Sequence, residues 1–120
     1  MNQDAAIARL EALASAVRLD IFRLLLRRGS SGMVAGDIAA ALDLAPTNLS
    51  FHLKALTRSG LLTVVQEGRY QRYRAHLPGM FELLAYLTEE CCGGKPELCA
   101  EVVALSKRLG ADAELPRPES

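Results

Sequence analysis

Three cysteines lie close together near the end of the 120-residue sequence, at Cys91, Cys92 and Cys99. Two glycines follow the adjacent pair directly. An odd number of cysteines crowded into so short a segment cannot form the disulfide framework of a secreted domain. We therefore expect free thiols in a reducing cytoplasm, available for chemistry with a soft ion or an oxidant.

Basic residues gather in the middle of a sequence whose charges balance overall, with 14 acidic and 14 basic residues. Residues 46–76 carry five basic residues against Glu67 alone, a net charge of +4, and residues 77–120 carry eight acidic against four basic residues. A basic segment suits contact with a polyanion such as DNA, although a solvated face would show the same charge. The five basic residues are Lys54, Arg58, Arg69, Arg72 and Arg74.

The length suits one domain, and the composition, 50% hydrophobic and 23% charged, is that of a globular protein. No apolar run approaches the roughly 18 residues of a membrane span, and the N-terminus lacks the layout of a signal peptide. We expect a cytoplasmic protein with no membrane partner. Residues 1–109 would form a single domain, and residues 110–120 a disordered tail.

Apolar periodicity and capping residues predict several helices in the first half of the sequence. Ser15 can cap the second of these helices, in which Leu19, Phe22 and Leu26 form an apolar stripe. The predicted helices are Ala5–Ala14, Ala16–Arg28, Ala35–Leu42 and a fourth that runs from Pro46 to Gly60.

The fourth predicted helix has an apolar and a polar face. Pro46 suits its first position, because the N–H that proline lacks has no partner there, and Gly60 closes the helix. Stepping the positions by about 100° per residue places three leucines on one side. These leucines are Leu49, Leu53 and Leu56. The opposite side carries Thr47, Phe51, Lys54 and Arg58, with Asn48 and Ala55 beside them.

A basic β-hairpin is predicted directly after this helix. Its strands are Leu61–Gln66 and Arg69–Ala75, joined at Glu67-Gly68. Such a helix and hairpin are typical of a recognition helix in the DNA major groove and a wing on the adjoining backbone. The helices expected after the break at Pro78-Gly79 are Met80–Cys92 and Pro96–Leu109. The predicted fold class is mainly α with a β-hairpin wing, a winged helix-turn-helix.

Between residues 10 and 77 the sequence resembles the ArsR/SmtB family of bacterial winged-helix repressors. The most similar stretches are ASAVRL at residues 14–19, LSFHLKAL at 49–56 and SGLL at 59–62. Glu67-Gly68-Arg69 and Tyr73-Arg74 match the family's wing. The resemblance implies a homodimer, paired through its first and fifth helices, that binds double-stranded operator DNA and leaves it when a metal or metalloid binds.

The sequence departs from the family at two of the family's metal sites. Arsenic sensors of one type carry paired cysteines at the start of the third helix, where this sequence has Val34 and Gly36. Zinc sensors use acidic and histidine ligands on the fifth helix, but no histidine follows His76. The three cysteines remain, and their spacing is similar to the C-terminal site of another, arsenite- and antimonite-responsive group.

The residues around the cysteines allow the three sulfur atoms to meet within one chain. Cys91 and Cys92 would end the fifth helix, where the two glycines let the chain turn sharply. Pro96 would begin the sixth helix and place Cys99 in its first turn. Because helical side chains lean towards the helix N-terminus, Cys99 should point back at the pair.

Acidic residues beside the thiols bear on which ion they would bind. Glu89, Glu90 and Glu97, together with the negative end of the helix dipole, disfavour thiolates. Arsenite is a neutral hydroxide that condenses with three thiols, releases water and leaves a neutral product. A divalent ion on three thiolates would leave net negative charge, and zinc usually takes a fourth ligand. The expected effector is therefore As(III) or Sb(III), with no organic cofactor.

Other interpretations of the cysteines stay open. They can be ordinary buried small residues, although adjacent cysteines beside two glycines pack poorly in a helix. Alternatively, the protein can be a winged-helix oxidation sensor in which the adjacent cysteine pair is the redox switch. A thiol enzyme or metal carrier is less favoured, because no base stands near the cysteines and no phosphate loop or nucleophile motif appears elsewhere. We expect a DNA-binding protein and not an enzyme.

The first turn of the fourth helix is where base edges are usually reached. Thr47 and Asn48 lie there, and Asn48 can bond an adenine edge, whereas Phe51 can touch a thymine methyl group. The alternatives are that Asn48 is simply a polar residue at a helix start and that Phe51 is partly buried core. We assign Ser50 to the same DNA-contacting surface.

His52 has two interpretations, which the sequence leaves open. It steps towards the leucine side of the helix, which favours packing, whereas the family resemblance favours a place in the DNA-contacting surface. Tyr73 is expected to pack the wing on the helices. Contacts with DNA phosphates, which fix register without reading sequence, are assigned to Lys54, Arg58, Arg69 and Arg72.

These assignments combine into one hypothesis. The chain is expected to be a homodimeric repressor of an inverted-repeat operator, released when As(III) or Sb(III) binds Cys91, Cys92 and Cys99. The bases of the operator, the regulated genes and the preference between the two metalloids do not follow from the sequence.

Overall fold

Five α-helices and a small sheet make up the part of the chain that the computed structural model describes, residues 1–89. The predicted sixth helix Pro96–Leu109, the tail 110–120 and the three cysteines lie outside the described residues. The helices are α1 (Gln3–Leu13), α2 (Ala16–Arg28), α3 (Ala35–Leu42), α4 (Pro46–Ser59) and α5 (Leu77–Thr88). The strands are β1 (Met33–Val34), β2 (Leu62–Glu67) and β3 (Tyr70–Ala75), with a 3-10 turn at Gly29–Ser31. Residues Met1–Tyr86 form one compact unit.

Side-chain caps set the start of the first two helices. Asn2 Oδ1 accepts a hydrogen bond from the Ala5 N–H at 2.8 Å, so α1 begins two residues before the predicted start. The bounds of α2 match the prediction, and Ser15 Oγ accepts from the Arg18 N–H at 3.4 Å. Every helix within residues 1–89 is too short or too polar to cross a bilayer.

The buried face of α2 differs from the predicted stripe. Phe22 is buried as expected, but Leu19 and Leu26 are 41% and 40% exposed. Ile21 and Leu25 are fully buried instead. The prediction was wrong at two positions because α2 is apolar on several sides, so packing against α3, α4 and β3 decides which side is buried.

A tight turn joins α3 to α4 and makes the helix-turn-helix. Asp43 closes α3 in the left-handed conformation, with φ of 53°, and its N–H points back at the carbonyl oxygens of Ala39 and Ala40. Pro46 occupies the first turn of α4, and Gly60 closes this helix with φ of 93°. The predicted apolar face of α4 is confirmed, since Leu49, Leu53 and Leu56 are all buried.

The wing is the β2–β3 hairpin, and β1 pairs with the other edge of β3. The order is β1-β3-β2, antiparallel throughout, with Met33 opposite Tyr73 and Glu67 opposite Tyr70. The turn is therefore Gly68-Arg69, where Gly68 has φ of +61°. The predicted strand bounds were wrong at three positions, because pairing runs from Leu62 opposite Ala75 to Glu67 opposite Tyr70. Leu61 and Arg69 lie outside the strands, and Glu67 ends β2 instead of lying in the turn. The sequence did not predict β1, which is two residues long.

Helix α5 begins at Leu77, three residues before the predicted start at Met80. The interpretation of Pro78-Gly79 as a break was wrong, because proline in a first helical turn sacrifices no hydrogen bond. Gly79 is buried, and a Cβ atom there would collide with the backbone carbonyl oxygen of Gly60. The start of α5 therefore lies directly against the end of α4. The predicted extension of α5 from Glu90 to Cys92 lies outside the described residues.

Arg9 of α1 joins the end of α4 to the start of α5. Its Nε donates to the Ser59 carbonyl oxygen at 2.8 Å, and its Nη1 donates to the Gly79 carbonyl oxygen at 2.5 Å. The same Nη1 is 2.9 Å from Glu82 Oε1. The Arg9 side chain is only 13% exposed. One guanidinium thus satisfies backbone acceptors on two helices and fixes both relative to α1.

Candidate nucleic-acid interface

Helix α4 presents a continuous polar and basic surface to solvent. Phe51 is 67% exposed, so the alternative that it is partly buried core is wrong. Asn48 lies inside the helix and does not cap it, and its amide makes no hydrogen bond within residues 1–89. The exposed side chains along this surface are Thr47, Asn48, Ser50, Phe51, Lys54 and Arg58. The structure therefore brings the residues assigned to this helix together on one exposed face, with the partly buried His52 at its edge.

The N-terminus of α4 is open to an acceptor. Ala45 occupies the capping position and has no side-chain oxygen to accept a hydrogen bond from the first turn. Pro46 lacks an N–H, and the backbone N–H groups of Thr47 and Asn48 follow it. Because these groups point out of the helix start, they can donate to a phosphate oxygen of DNA.

His52 lies half-buried at the edge of the exposed surface of α4. Its Nδ1 is 3.2 Å from Arg18 Nη1, and its ring meets that of Phe51 edge-on at a centroid distance of 5.6 Å. Arg18 Nε also donates to the Ala12 carbonyl oxygen at 2.7 Å. The sequence did not indicate Arg18 as a site residue, although it stands in the ASAVRL stretch, because 34 residues separate it from His52.

The environment of His52 predicts a pH-dependent stability. Burial, and then the nearby Arg18 guanidinium, lower the pKa of His52 below its ordinary value of 6.5. The unfolded chain therefore binds this proton more readily, and stability should fall as the pH drops through about 6.5 towards the lower folded pKa. Urea unfolding at about pH 7.5 and about pH 5 should show a smaller loss for His52→Gln than for the unmodified chain. Equal losses would contradict the assignment.

The cations of the wing differ in how far they are already engaged. Arg69 lies at the exposed hairpin tip beside Tyr70, which is 62% exposed, and its side chain has no partner within residues 1–89. Arg72, in contrast, pairs with Glu67 Oε1 at 2.9 Å and donates to the Ser31 carbonyl oxygen at 3.0 Å. Arg72 therefore also holds the wing to the 3-10 turn, a role that the sequence did not indicate.

Tyr73 anchors the wing on the helices, as predicted. Its side chain is buried in the core, and its hydroxyl lies 3.1 Å from Gln71 Oε1, to which it donates. Burial raises the pKa of Tyr73. The phenol therefore stays neutral, and its ring belongs to the support of the interface rather than to its surface.

No cluster of three or more His, Cys, Asp or Glu side chains within residues 1–89 is placed to hold a metal ion. Val34 and Gly36, at the start of α3, offer no thiol there. The predicted metalloid ligands Cys91, Cys92 and Cys99 lie outside the described residues. Their convergence therefore stays a prediction from the sequence.

A helix-turn-helix with an exposed basic face, followed by a hairpin with a cationic tip, defines a winged-helix DNA-binding protein. A sequence profile described as a helix-turn-helix domain matches residues 13–65. No curated protein sequence matches the chain at a significant level.

Solved structures extend this similarity to most of the chain. HlyU from Vibrio cholerae is 30% identical, with a TM-score of 0.57 over 72% of this chain and 97% of that one. A homodimeric winged helix-turn-helix DNA-binding domain from Mycobacterium bovis, described as a possible ArsR-family transcriptional regulator, is 30% identical. Its TM-score is 0.58, over 72% of this chain and 81% of that one.

A third structure, of a possible transcriptional regulator for arsenical resistance, is 28% identical, with a TM-score of 0.59 over 78% of this chain and 95% of that one. The chain belongs to the ArsR family of winged helix-turn-helix transcriptional regulators. The prediction of a DNA-binding regulator rather than an enzyme is confirmed by this membership.

Proposed function

We propose that the chain is a homodimeric repressor that binds an inverted-repeat operator and leaves it when As(III) or Sb(III) binds its three cysteines. One observation carries the DNA-binding half of this proposal. The polar side chains of α4 are exposed along one face, while the leucines of the opposite face are buried in the core. Helix α4 is thus held rigidly by one side and free to enter the major groove by the other.

The exposed residues of α4 divide between bases and phosphates. Thr47 and Asn48 lie in the first turn, where Asn48 can accept from and donate to an adenine edge. The exposed ring of Phe51 can contact a thymine methyl group, and Ser50 can bond either a base or the backbone. Sequence recognition is therefore assigned to the N-terminal half of α4, on the surface that contains Phe51.

Phosphate contacts are assigned mainly to Lys54, Arg58 and Arg69, because these three side chains have no ion-pair partner within residues 1–89. Arg72 is less available for such a contact, because it is paired with Glu67. Replacing Lys54 with glutamine should weaken binding to operator and unrelated DNA alike. It should also lower the salt slope, the slope of the logarithm of the binding constant against the logarithm of salt concentration, by about one unit. Fluorescence anisotropy over a series of salt concentrations measures both quantities, using DNA from upstream of the chain's own coding sequence.

The matched control for Lys54→Gln is Arg23→Gln, which removes an exposed cation from α2. This control should leave the slope unchanged. A Lys54→Gln slope equal to that of the unmodified chain would remove Lys54 from the interface. Absence of salt-dependent binding by the unmodified chain would contradict the proposed operator.

Exposed apolar side chains on α1 and α5 support dimerisation. Ile7 and Leu10 of α1 are 43% and 44% exposed, and Leu77 and Phe81 of α5 are 45% and 59% exposed. An apolar surface of this kind is stabilised by burial against a partner. The homodimeric domain from Mycobacterium bovis, of similar fold, supports a second copy of this chain as that partner.

The chemistry of the thiol set supports the metalloid effector. The thiols of Cys91, Cys92 and Cys99 would replace the three hydroxides of arsenite, forming three As–S bonds and releasing three waters. The neutral product suits an acidic segment. The similarity to a possible transcriptional regulator for arsenical resistance favours the same effector class. Typical coupling energies are about 1–3 kcal/mol per site, so two sites in a dimer are sufficient for release.

A second candidate function is an oxidation sensor that uses the same thiols. It is favoured by a reduced form of HlyU among the similar structures, 30% identical over 72% of this chain with a TM-score of 0.56. Peroxide would oxidise two thiols to a disulfide and yield two waters. Release of operator by peroxide, without release by arsenite under reducing conditions, would support this candidate over the metalloid sensor.

A further inference from the structure

Arg18 connects three elements at the edge of the DNA-contacting surface. It projects from α2, its Nε donates to the Ala12 carbonyl oxygen near the end of α1, and its Nη1 lies 3.2 Å from His52 Nδ1 on α4. The guanidinium is therefore held at two points, of which one is backbone. A side chain anchored in this way fixes the orientation of the ring that it contacts.

The contact also fixes where the imidazole carries its proton. Arginine offers only N–H donors and is not deprotonated in proteins, so His52 Nδ1 must be the acceptor. A neutral ring with an acceptor at Nδ1 carries its hydrogen on Nε2. Protonation of Nδ1 would set two N–H groups against each other, and burial also disfavours the charged ring.

The Nε2 edge of His52 is open. The Nε2 atom makes no hydrogen bond within residues 1–89. Among the residues of this part, only Thr57 Oγ1 is a buried side-chain nitrogen or oxygen atom without a partner. The unpartnered Nε2 atom of His52 is therefore not buried. The neighbouring Phe51 ring is largely exposed and meets the imidazole edge-on. The Nε2–H group is thus presented beside the proposed DNA-contacting residues.

We propose that Arg18 is a positioning residue for DNA recognition: it holds His52 in the neutral Nε2–H tautomer, so that His52 donates one hydrogen bond to an acceptor on the operator. The acceptor is a base atom, such as guanine O6 or N7, or a phosphate oxygen. Exocyclic amino groups are excluded because they are donors themselves. This inference rests on the proposed binding of DNA by α4 and is independent of the metalloid effector.

The tautomer is measured directly on the full chain without DNA. Nitrogen-15 NMR of the imidazole nitrogens should show His52 with its hydrogen on Nε2, and His52→Gln assigns the signals against those of His76. In Arg18→Met, the His52 signals should move towards a mixture of tautomers. An Nδ1–H form in the unmodified chain would overturn the proposal, whether or not the variant folds.

A double-mutant cycle on operator DNA tests the role in recognition. His52→Ala and Arg18→Met should each weaken operator binding by about 3- to 10-fold, as expected for one hydrogen bond, and the second change should add little to the first. The control Arg23→Met removes a cation from the same helix and should have no effect. If Arg18→Met weakens binding as much in the His52→Ala variant as in the unmodified chain, the proposal is overturned.

The salt slope and a second DNA separate the remaining outcomes. The imidazole is neutral, and the proposal gives Arg18 no contact with DNA, so neither variant should change the salt slope. A lower slope in Arg18→Met would show that Arg18 itself contacts a phosphate, which overturns the proposal. A loss confined to operator DNA identifies a base acceptor, and an equal loss on unrelated DNA identifies a phosphate. If Asn48→Ala, Lys54→Gln and His52→Ala all leave operator binding unaltered, α4 does not bind the operator. The proposed function then fails, and this inference fails with it.

Discussion

Replacing Cys91, Cys92 and Cys99 together by serine should leave operator binding intact and abolish its release by arsenite. Serine keeps the size of each side chain but removes the sulfur ligands. At about 1–3 kcal/mol of coupling per site and two sites in a dimer, the unmodified chain should lose at least about 30-fold in operator affinity. The triple variant should show no such loss. Anisotropy of a labelled operator during an arsenite titration measures both responses.

The reductant used in this titration must not bind arsenite itself. A phosphine should be used, because a dithiol would itself compete for arsenite. Single serine variants form the matched series, and each should weaken the arsenite response, since all three thiols are proposed ligands. Arsenite release that persists unchanged in the triple variant would refute the effector site. The same series with peroxide shows whether the adjacent pair acts as an oxidation switch.

Arg9→Met should cause a large loss of folding stability, although Arg9 lies outside the apolar core. Methionine retains the aliphatic part of the side chain but removes the guanidinium that donates to the carbonyl oxygens of Ser59 and Gly79. Two hydrogen bonds to a charged group contribute about 3–6 kcal/mol together. Both are only part-buried, and water can replace some of this after the change, so the free energy of unfolding should fall by about 2–4 kcal/mol. Urea unfolding followed by circular dichroism measures the change.

The ion pair with Glu82 should contribute little to this effect. The Glu82 side chain is 59% exposed, and exposed ion pairs stabilise by about 1 kcal/mol at most. Glu82→Gln is therefore the matched control, with an expected loss well below that of Arg9→Met. Similar losses in the two variants would show that the backbone contacts of Arg9 are unimportant.

Local patterns explain which parts of the fold the sequence predicted. In α4 the leucine spacing, Pro46 and Gly60 act within one element, so both its ends and its buried face follow from the sequence. In α2 the same approach chose the wrong stripe. Apolar residues there occupy several sides of the helix, and the neighbouring elements decide which side faces inward.

Contacts between distant residues explain what the sequence did not predict. Strand β1 exists because Met33 and Val34 pair with β3, about 40 residues later, and two residues carry no periodic signal. Arg18 and His52 are likewise 34 positions apart. The proposed site was predictable as a helix face with cations, but its support by Arg18 and the engagement of Arg72 required the tertiary structure.

The close approach of Gly79 to Gly60 bears on how movement of α5 would reach DNA. With no room for a methyl group between them, the two helix ends are in direct contact, so a displacement of the start of α5 would press on the end of α4. Helix α4 has 14 residues and is therefore about 20 Å long. A rotation of about 5° at Gly60 would shift its far end by nearly 2 Å, about half the rise between stacked base pairs. Leverage of this kind would convert a slight change near the C-terminal end of the fold into loss of alignment with the major groove.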